Sequence, residues 1–195
     1  MIAAPRLMLI RHGRTHANAA GLLMGRTDSR LLPESLQQAT TLGQSLALTG
    51  PFAVYSSDQP RALNTAHRLT HPHHRRPIQD PALRERDFGS YTLTAFTDLA
   101  RDPAWANVDT HYDARPPGGE TLLDVEKRIF AHLLHLHDTL PPETTLVAVG
   151  HSTCWRLVES VLCGRRHDPL DEPIPPPLTV LEHPRDSLEV LRDHL

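Results

Sequence analysis

The sequence predicts an α/β fold built on a mostly parallel sheet. Short, continuously apolar runs at Arg6–Ile10, Phe52–Ser56 and Thr144–Val149 read as strands buried on both faces. Longer segments with apolar residues three and four apart lie between them. The two patterns alternate, which is the order of strand–helix–strand units rather than of an all-β or all-helical domain. A chain of 195 residues suffices for one domain with a small cap, and it buries enough surface to fold without covalent staples.

The first strand, RLMLI, runs into RHGRTHANAAGLLMGRTDSR, whose glycines and polar residues mark a loop. A helix is expected from near Pro33, with Leu36, Ala39, Leu42 and Leu46 on one face and Gly50-Pro51 as its end. FAVYS (52–56) is the second strand. Ser57-Asp58 has the residue types of an N-cap, Pro60 suits the first turn, and Ala62, Leu63, Ala66 and Leu69 carry the helix to about Thr70. HPHHRRP is a break, and residues 76–84 hold a short strand. Residues 85–118 read as irregular, with a helix near Thr94–Arg101; so long a stretch in a compact domain marks a functional loop or a cap. Pro116-Pro117-Gly118-Gly119 is a turn. After it, Leu122, Val125, Ile129, Leu133 and Leu136 define an amphipathic helix that stops at Pro141-Pro142. TTLVAV is the third buried strand, and Gly150-His151-Ser152 turns into a helix carrying Trp155, Leu157, Val158, Val161 and Leu162. A proline-rich linker between Pro169 and Pro177 leads to two last strands, LTVLE and LEVLR. There is no internal repeat, P-loop or G-x-G-x-x-G.

Composition narrows the function classes. Hydrophobic residues at 39% and charged residues at 22% are those of a globular chain. A net charge of −3 argues against sequence-independent nucleic-acid binding, which needs a strongly positive surface. Lys127 is the one lysine among 20 basic residues, so arginine supplies the positive charge; codon bias explains that as readily as phosphate recognition does, and only position decides. Cys154 and Cys163 fall nine positions apart in one expected helix, roughly 13 Å, too far for a disulfide, and so read as free thiols of a reducing compartment. The N-terminus lacks the basic and long apolar regions of a signal peptide, and no run of about 18 apolar residues occurs, so the expectation is a cytoplasmic protein that does not engage membranes. Oligomeric state is not legible; a homodimer is compatible with the sequence.

Chemistry is expected at the strand ends, because ligands of open α/β sheets bind beyond the carboxyl ends of the strands. RLMLI enters Arg11-His12-Gly13, TTLVAV enters Gly150-His151, and FAVYS leads to Arg61 one turn inside a helix. Singly each is an ordinary loop residue. Together, RHGRTHAN (11–18), SSDQPRALNTA (56–66), LRERDFG (83–89), PPGGE (116–120) and VGHS (149–152) resemble the histidine phosphatase superfamily, in its phosphoglycerate-mutase-like branch, of the α-ribazole phosphatase or broad-specificity phosphatase type. The resemblance runs from Arg6 to Leu195.

That resemblance implies a three-layer α/β/α sandwich, as one domain over residues 1–195 with a small cap-like insert at about 86–118. It implies phosphomonoester hydrolysis of a small molecule through a phosphohistidine. His12 matches the nucleophile and Glu85 the general acid and base; Arg11, Arg61 and His151 match the catalytic phosphate pocket, with Asn18 and Ser152 as further phosphate contacts. No metal and no cofactor are implied, and the partner is the phosphate-ester substrate. The sequence departs from the family pattern at Arg14, where Glu is common, and at Met24, Arg30, Ser35 and Leu93, so the leaving group is not assigned by analogy. Two alternatives stand beside hydrolysis. One is phosphoglycerate-mutase-type transfer, which the shortness of the stretch from Glu85 to Gly118 disfavours. The other is a non-catalytic phosphate-binding module, which would be expected to have lost His12 or Glu85. The histidine clusters 71/73/74 and 132/135/137 lack carboxylate or thiol partners at ligand spacing and read as surface; Trp105 and Tyr112 read as the packing of the cap.

Overall fold

The computed structural model describes residues 4–195; the first three residues of the N-terminal stretch read as lacking a signal peptide lie outside it. Its strands are β1 (Arg6–Arg11), β2 (Phe52–Ser57), β3 (Ile78–Asp80), β4 (Thr145–Gly150) and β5 (Val180–Pro184). Its helices are α1 (His16–Ala19), α2 (Pro33–Ser45), α3 (Pro60–Thr70), α4 (Phe96–Leu99), α5 (Pro103–Thr110), α6 (Leu122–Thr139) and α7 (Ser152–Leu162). The strands form one sheet in the order β3-β2-β4-β1-β5, parallel except for β5, which closes the β1 edge antiparallel.

Strand side chains alternate between faces, and both faces of this sheet are covered. Leu7 and Leu9 join Leu146 and Ala148 on one face, against Ile129 and Leu133 of α6 and Trp155 and Val158 of α7. Met8, Ile10, Val147 and Val149 leave the other face and meet Ala62, Ala66 and Leu69 of α3, with Leu42 of α2 packed beside them. This is the expected three-layer sandwich. The α2–α3 pair is drawn together at Gly43, where a Cβ would stand 2.3 Å from the Leu69 carbonyl oxygen; any other residue would push the helices apart.

Several local expectations are corrected. The loop after β1 contains α1, held by a capping box in which Thr15 and Asn18 exchange side-chain-to-backbone bonds. Helix α2 stops at Ser45, because Leu46 already has extended backbone, rather than reaching Gly50-Pro51. The N-cap of α3 is Gln59 and makes no side-chain cap bond; Ser57 Oγ accepts from the Gln59 N–H, and Asp58 is taken by Arg84. The 85–118 stretch holds α4 and also α5, whose N-cap Asp102 accepts from the Ala104 N–H. LEVLR is not a strand: it lies in a run of 3₁₀ turns, Arg185–His194, in which Leu188 and Leu191 are buried three positions apart while Val190 is exposed. Tyr112 belongs to the main core rather than to the cap, with the Arg166 guanidinium 4.4 Å above its ring.

Two buried arginines fasten distant segments. Arg185 donates to the carbonyls of Leu136, His137, Leu140, Pro141 and Thr144, satisfying the C-terminal end of α6. Arg86 donates to the carbonyls of Val108, Ala114 and Glu120 and lies over the Phe88 ring, so it clips the 86–118 segment to itself and to the start of α6. Burial pulls the Arg86 pKa down to about 10, still charged at neutral pH. Gly89 completes the clip. At φ +53° and with a Cβ position 2.0 Å from the Pro117 carbonyl, only glycine lets the Pro-Pro-Gly-Gly turn rest on this backbone.

Candidate active site

A cavity of about 420 Å³ opens at the carboxyl ends of the central strands. Its floor is assembled from chain ends that the sheet brings together. The His12 N–H donates to the Gly150 carbonyl, tying the end of β1 to the end of β4. The Gly13 N–H donates to Thr65 Oγ1 of α3, whose hydroxyl in turn donates to the Arg61 carbonyl.

His12 is buried and its ring is fixed at both nitrogens. Nδ1 lies 2.7 Å from the Gly13 carbonyl, which can only accept, so Nδ1 carries the proton. Nε2 receives the Arg61 Nε–H at 3.2 Å and is therefore the unprotonated nitrogen. Burial, with Arg61 and Arg11 nearby, holds the His12 pKa well below the usual histidine value, so the ring is neutral at pH 7. His151 is equally buried, 5.2 Å from His12 between ring centroids and nearly edge-on to it. Its pKa is lowered by the same burial and the same arginines.

Arg61 is held by the carbonyls of Gly25 and Thr27 and by Asp28, 3.2 Å away. Arg11 donates to the carbonyl of Pro175, so the proline-rich linker reaches back over the site. Burial lowers the pKa of both guanidiniums, which stay charged. His151 Nδ1 and Nε2 and Arg11 Nε are buried without protein partners. Such groups are costly to leave unpaired, and clustered here beside two guanidiniums they suit an anion.

Glu85 is buried beside them. Its carboxyl accepts from the Arg86 N–H, the Ser152 hydroxyl and the Thr153 N–H, while its own N–H donates to Gln59 Oε1. Neither neighbouring guanidinium uses it, since Arg84 pairs with Asp58 and Arg86 binds carbonyls. Asn18 lines the cavity with its Oδ1 committed to the Thr15 N–H, which leaves its amide nitrogen as the free donor. Arg11, His12, Asn18, Arg61, Glu85 and Ser152 thus face one cavity, and His151 packs against His12.

Sequence reasoning missed four residues here. Gln59 positions Glu85 and also donates to the Gly25 carbonyl; Asp28 pairs with Arg61; Arg156 and Asp109 form a 3.5 Å ion pair on the cavity wall. Only Gln59 carried a local signal, its place just before Pro60-Arg61. Arg14 lines the cavity and is exposed, whereas Arg26 is outside the lining and pairs with Glu120 at 2.7 Å.

Outside the cavity, two histidines of the 132/135/137 cluster meet carboxylates from segments distant in the chain, which spacing does not show: His132 lies 3.1 Å from Asp80 and His137 2.8 Å from Glu189. Arg192 already occupies both carboxylates of the His137–Asp138–Glu189 group, which therefore carries no metal assignment. Cys154 is buried and burial pushes its thiol pKa up, so it is a packing residue; both cysteines are free. Among the described residues no helix is long and apolar enough to cross a membrane.

The model of the histidine phosphatase superfamily (branch 1) matches residues 7–185. A 2,3-bisphosphoglycerate-dependent phosphoglycerate mutase of Brucella ovis is 31% identical over 175 residues, 81% of each chain. The structure of YhfR from Bacillus stearothermophilus superposes with a TM-score of 0.81 at 27% identity, covering 92% of this chain and 90% of that one. A proposed alpha-ribazole-5'-P phosphatase of Escherichia coli K-12 superposes with a TM-score of 0.70 at 27% identity over 82% and 80%.

Proposed function

The chain belongs to the histidine phosphatase superfamily, and on that premise we propose that it hydrolyses the phosphate ester of a small molecule through a phosphohistidine on His12. The observation that carries this reading is the state of the His12 ring. Nδ1 is locked on the Gly13 carbonyl and Nε2 is held unprotonated beside Arg61, at the floor of the cavity. A nucleophile needs that free lone pair, and a neutral ring supplies it.

In the first step Nε2 attacks phosphorus, the P–O ester bond breaks, and the departing oxygen takes a proton from Glu85. In the second, Glu85 takes a proton from water, the water oxygen attacks phosphorus, the N–P bond breaks, and phosphate leaves. Arg61 exchanges its bond to Nε2 for one to a phosphoryl oxygen. Arg11, His151, Asn18 and Ser152 hold the remaining oxygens, and Ser152 also orients Glu85. The chain acts as one domain over residues 1–195, with 86–118 as a cap whose Phe88, Phe96, Trp105 and Asp109 line the cavity. No step uses a metal, and the two free thiols fit a cytoplasmic setting.

Mutase-type transfer would use the same floor, and the Brucella relative bears that name. Length does not separate the two activities: equal 81% shares make that relative about as long as this chain, against the expectation that mutases carry longer insertions. Charge separates them better. Glycerate presents a carboxylate beyond the transferred phosphate, yet Arg156 on the cavity wall is already paired with Asp109, which leaves the exposed Arg14 as the one lining guanidinium beyond the floor without an acid partner among the described residues. With 3-phosphoglycerate, released phosphate should therefore exceed isomerised product. The decisive experiment is labelling during turnover: an acid-labile, base-stable phosphoenzyme should form, and His12→Ala should lose both label and activity. Unchanged activity in that variant would reject the mechanism.

A further inference from the structure

Much of the cavity has no part in holding phosphate. Besides the polar floor, and Arg14, Asp109 and Arg156, it is lined by apolar side chains that include Met24, Phe88, Phe96, Trp105 and Ile174. Phe96 and Ile174 are 47% and 51% exposed, although they are large apolar side chains. A scattered exposed apolar residue means little, but two that converge on one ligand cavity from segments far apart in the chain are informative.

The wall is preformed. The Trp105 ring packs against Phe88 and Tyr91, with centroids 5.8 and 5.3 Å away. Arg156 ties the two segments together: it donates to the Glu172 carbonyl, two residues before Ile174, and pairs with Asp109 of α5. Since the floor fixes the phosphoryl group, the alcohol part of an ester must extend into the remaining volume. The charged groups of this wall are the Arg156–Asp109 pair, already matched, and the exposed Arg14; a polyhydroxylated group would give up water against the apolar side chains, whereas an apolar group gains by burial there.

Resting on the phosphatase reading, we infer that the substrate is the phosphate monoester of an alcohol bearing a bulky apolar or aromatic group, clamped between Phe96 and Ile174, which set the specificity. The test compares kcat/KM for 2-phenylethyl phosphate, ethylene glycol monophosphate and 3-phosphoglycerate. The first two are esters of primary alcohols, so their intrinsic reactivity is closely matched. The phenylethyl ester should be preferred over the glycol ester by about 10 to 100-fold, the range one apolar pocket supplies. Phe96→Ala and Ile174→Ala should each cut that ratio several-fold, while Ile78→Ala, an exposed apolar position on β3, should leave it alone. A ratio near one, or a preference for 3-phosphoglycerate through the exposed Arg14, overturns the inference and leaves the phosphatase reading standing. A preference that survives both truncations removes Phe96 and Ile174 from the specificity role. Absence of hydrolysis and phosphoenzyme with all three esters takes down both readings.

Discussion

Glu85 accepts three hydrogen bonds and no guanidinium salt bridge, although it sits between two arginines in the chain. A carboxylate kept only to neutralise Arg84 or Arg86 would touch one of them; Glu85 touches Ser152 and Thr153 at the head of α7 instead. Its loss should therefore read out in chemistry. Glu85→Gln preserves shape and removes the transferable proton. Single-turnover phosphoenzyme formation should slow about 10² to 10⁴-fold with alkyl phosphates, whose alkoxides need that proton, and much less with p-nitrophenyl phosphate, whose leaving anion is already stable. Equal slowing of both would remove Glu85 from the acid role. At this scale the sequence was informative at strand ends, where Arg11, His12 and His151 stand in recognisable motifs, as does Glu85 in the loop five residues beyond β3. It was silent on Asp28, Asp109 and Arg156, since an ion pair between residues 33 or 47 positions apart has no local signature.

The elements show where pattern reading holds and where it fails. Helix α6 was legible because burial on a fixed face imposes periodicity, and the three apolar strands because burial on both faces leaves a short unbroken apolar run. The C-terminal LEVLR was misread because apolar–polar alternation over so few residues cannot be told from a three-residue period; the structure buries Leu188 and Leu191. Helix α5 was missed because it turns few apolar residues inward, Val108 being its buried one. The end of α6 had a legible stop in Pro141-Pro142, but its cap, Arg185, arrives from the 3₁₀ run just after β5 and cannot be inferred locally. Arg185→Met keeps the length of the side chain and deletes its donors, leaving several carbonyls short of partners. We expect a loss of about 3 kcal/mol, or roughly 6–12 °C in Tm. Arg185→Lys should restore less than half of it, since one ammonium cannot span the carbonyls that the guanidinium reaches. Thermal unfolding followed by circular dichroism checks both.

For the whole molecule, the two buried histidines couple folding to pH. Both have folded-state pKa values well below the ordinary value of about 6.5, so below that pH the unfolded chain binds protons that the folded chain refuses. Stability is full above about pH 6.5 and falls as pH drops through it, by at most about 1.4 kcal/mol per pH unit for each histidine. Carboxylates with lowered pKa, such as Asp58 and Asp124, add to the loss only further down, near and below their ordinary range of about 4. Urea midpoints measured between pH 7 and 5 should show the decline, and replacing both His12 and His151 by Asn should flatten it. An unflattened slope would place its origin elsewhere. The mostly parallel α/β sheet was legible because alternating strand and helix signals admit few topologies, whereas the three-layer sandwich was what the family resemblance implied. The antiparallel direction of β5 was not, since nothing in a five-residue run states which way it is laid.

The Arg86 clip has a consequence for how such a protein changes its diet. The groups proposed to handle phosphate sit at the strand ends and the adjoining loops and helices, whereas much of the wall lies between residues 88 and 110, a stretch whose base the Arg86 guanidinium fastens through the main-chain oxygens of Val108, Ala114 and Glu120. Main-chain acceptors are indifferent to side-chain identity. The stretch can therefore accumulate substitutions, or be exchanged for a foreign one of similar length, provided that Arg86, Gly89 and the path of the three carbonyls persist. Laboratory evolution toward new esters would find most of its freedom in that cassette, with the phosphoryl-handling core inherited untouched.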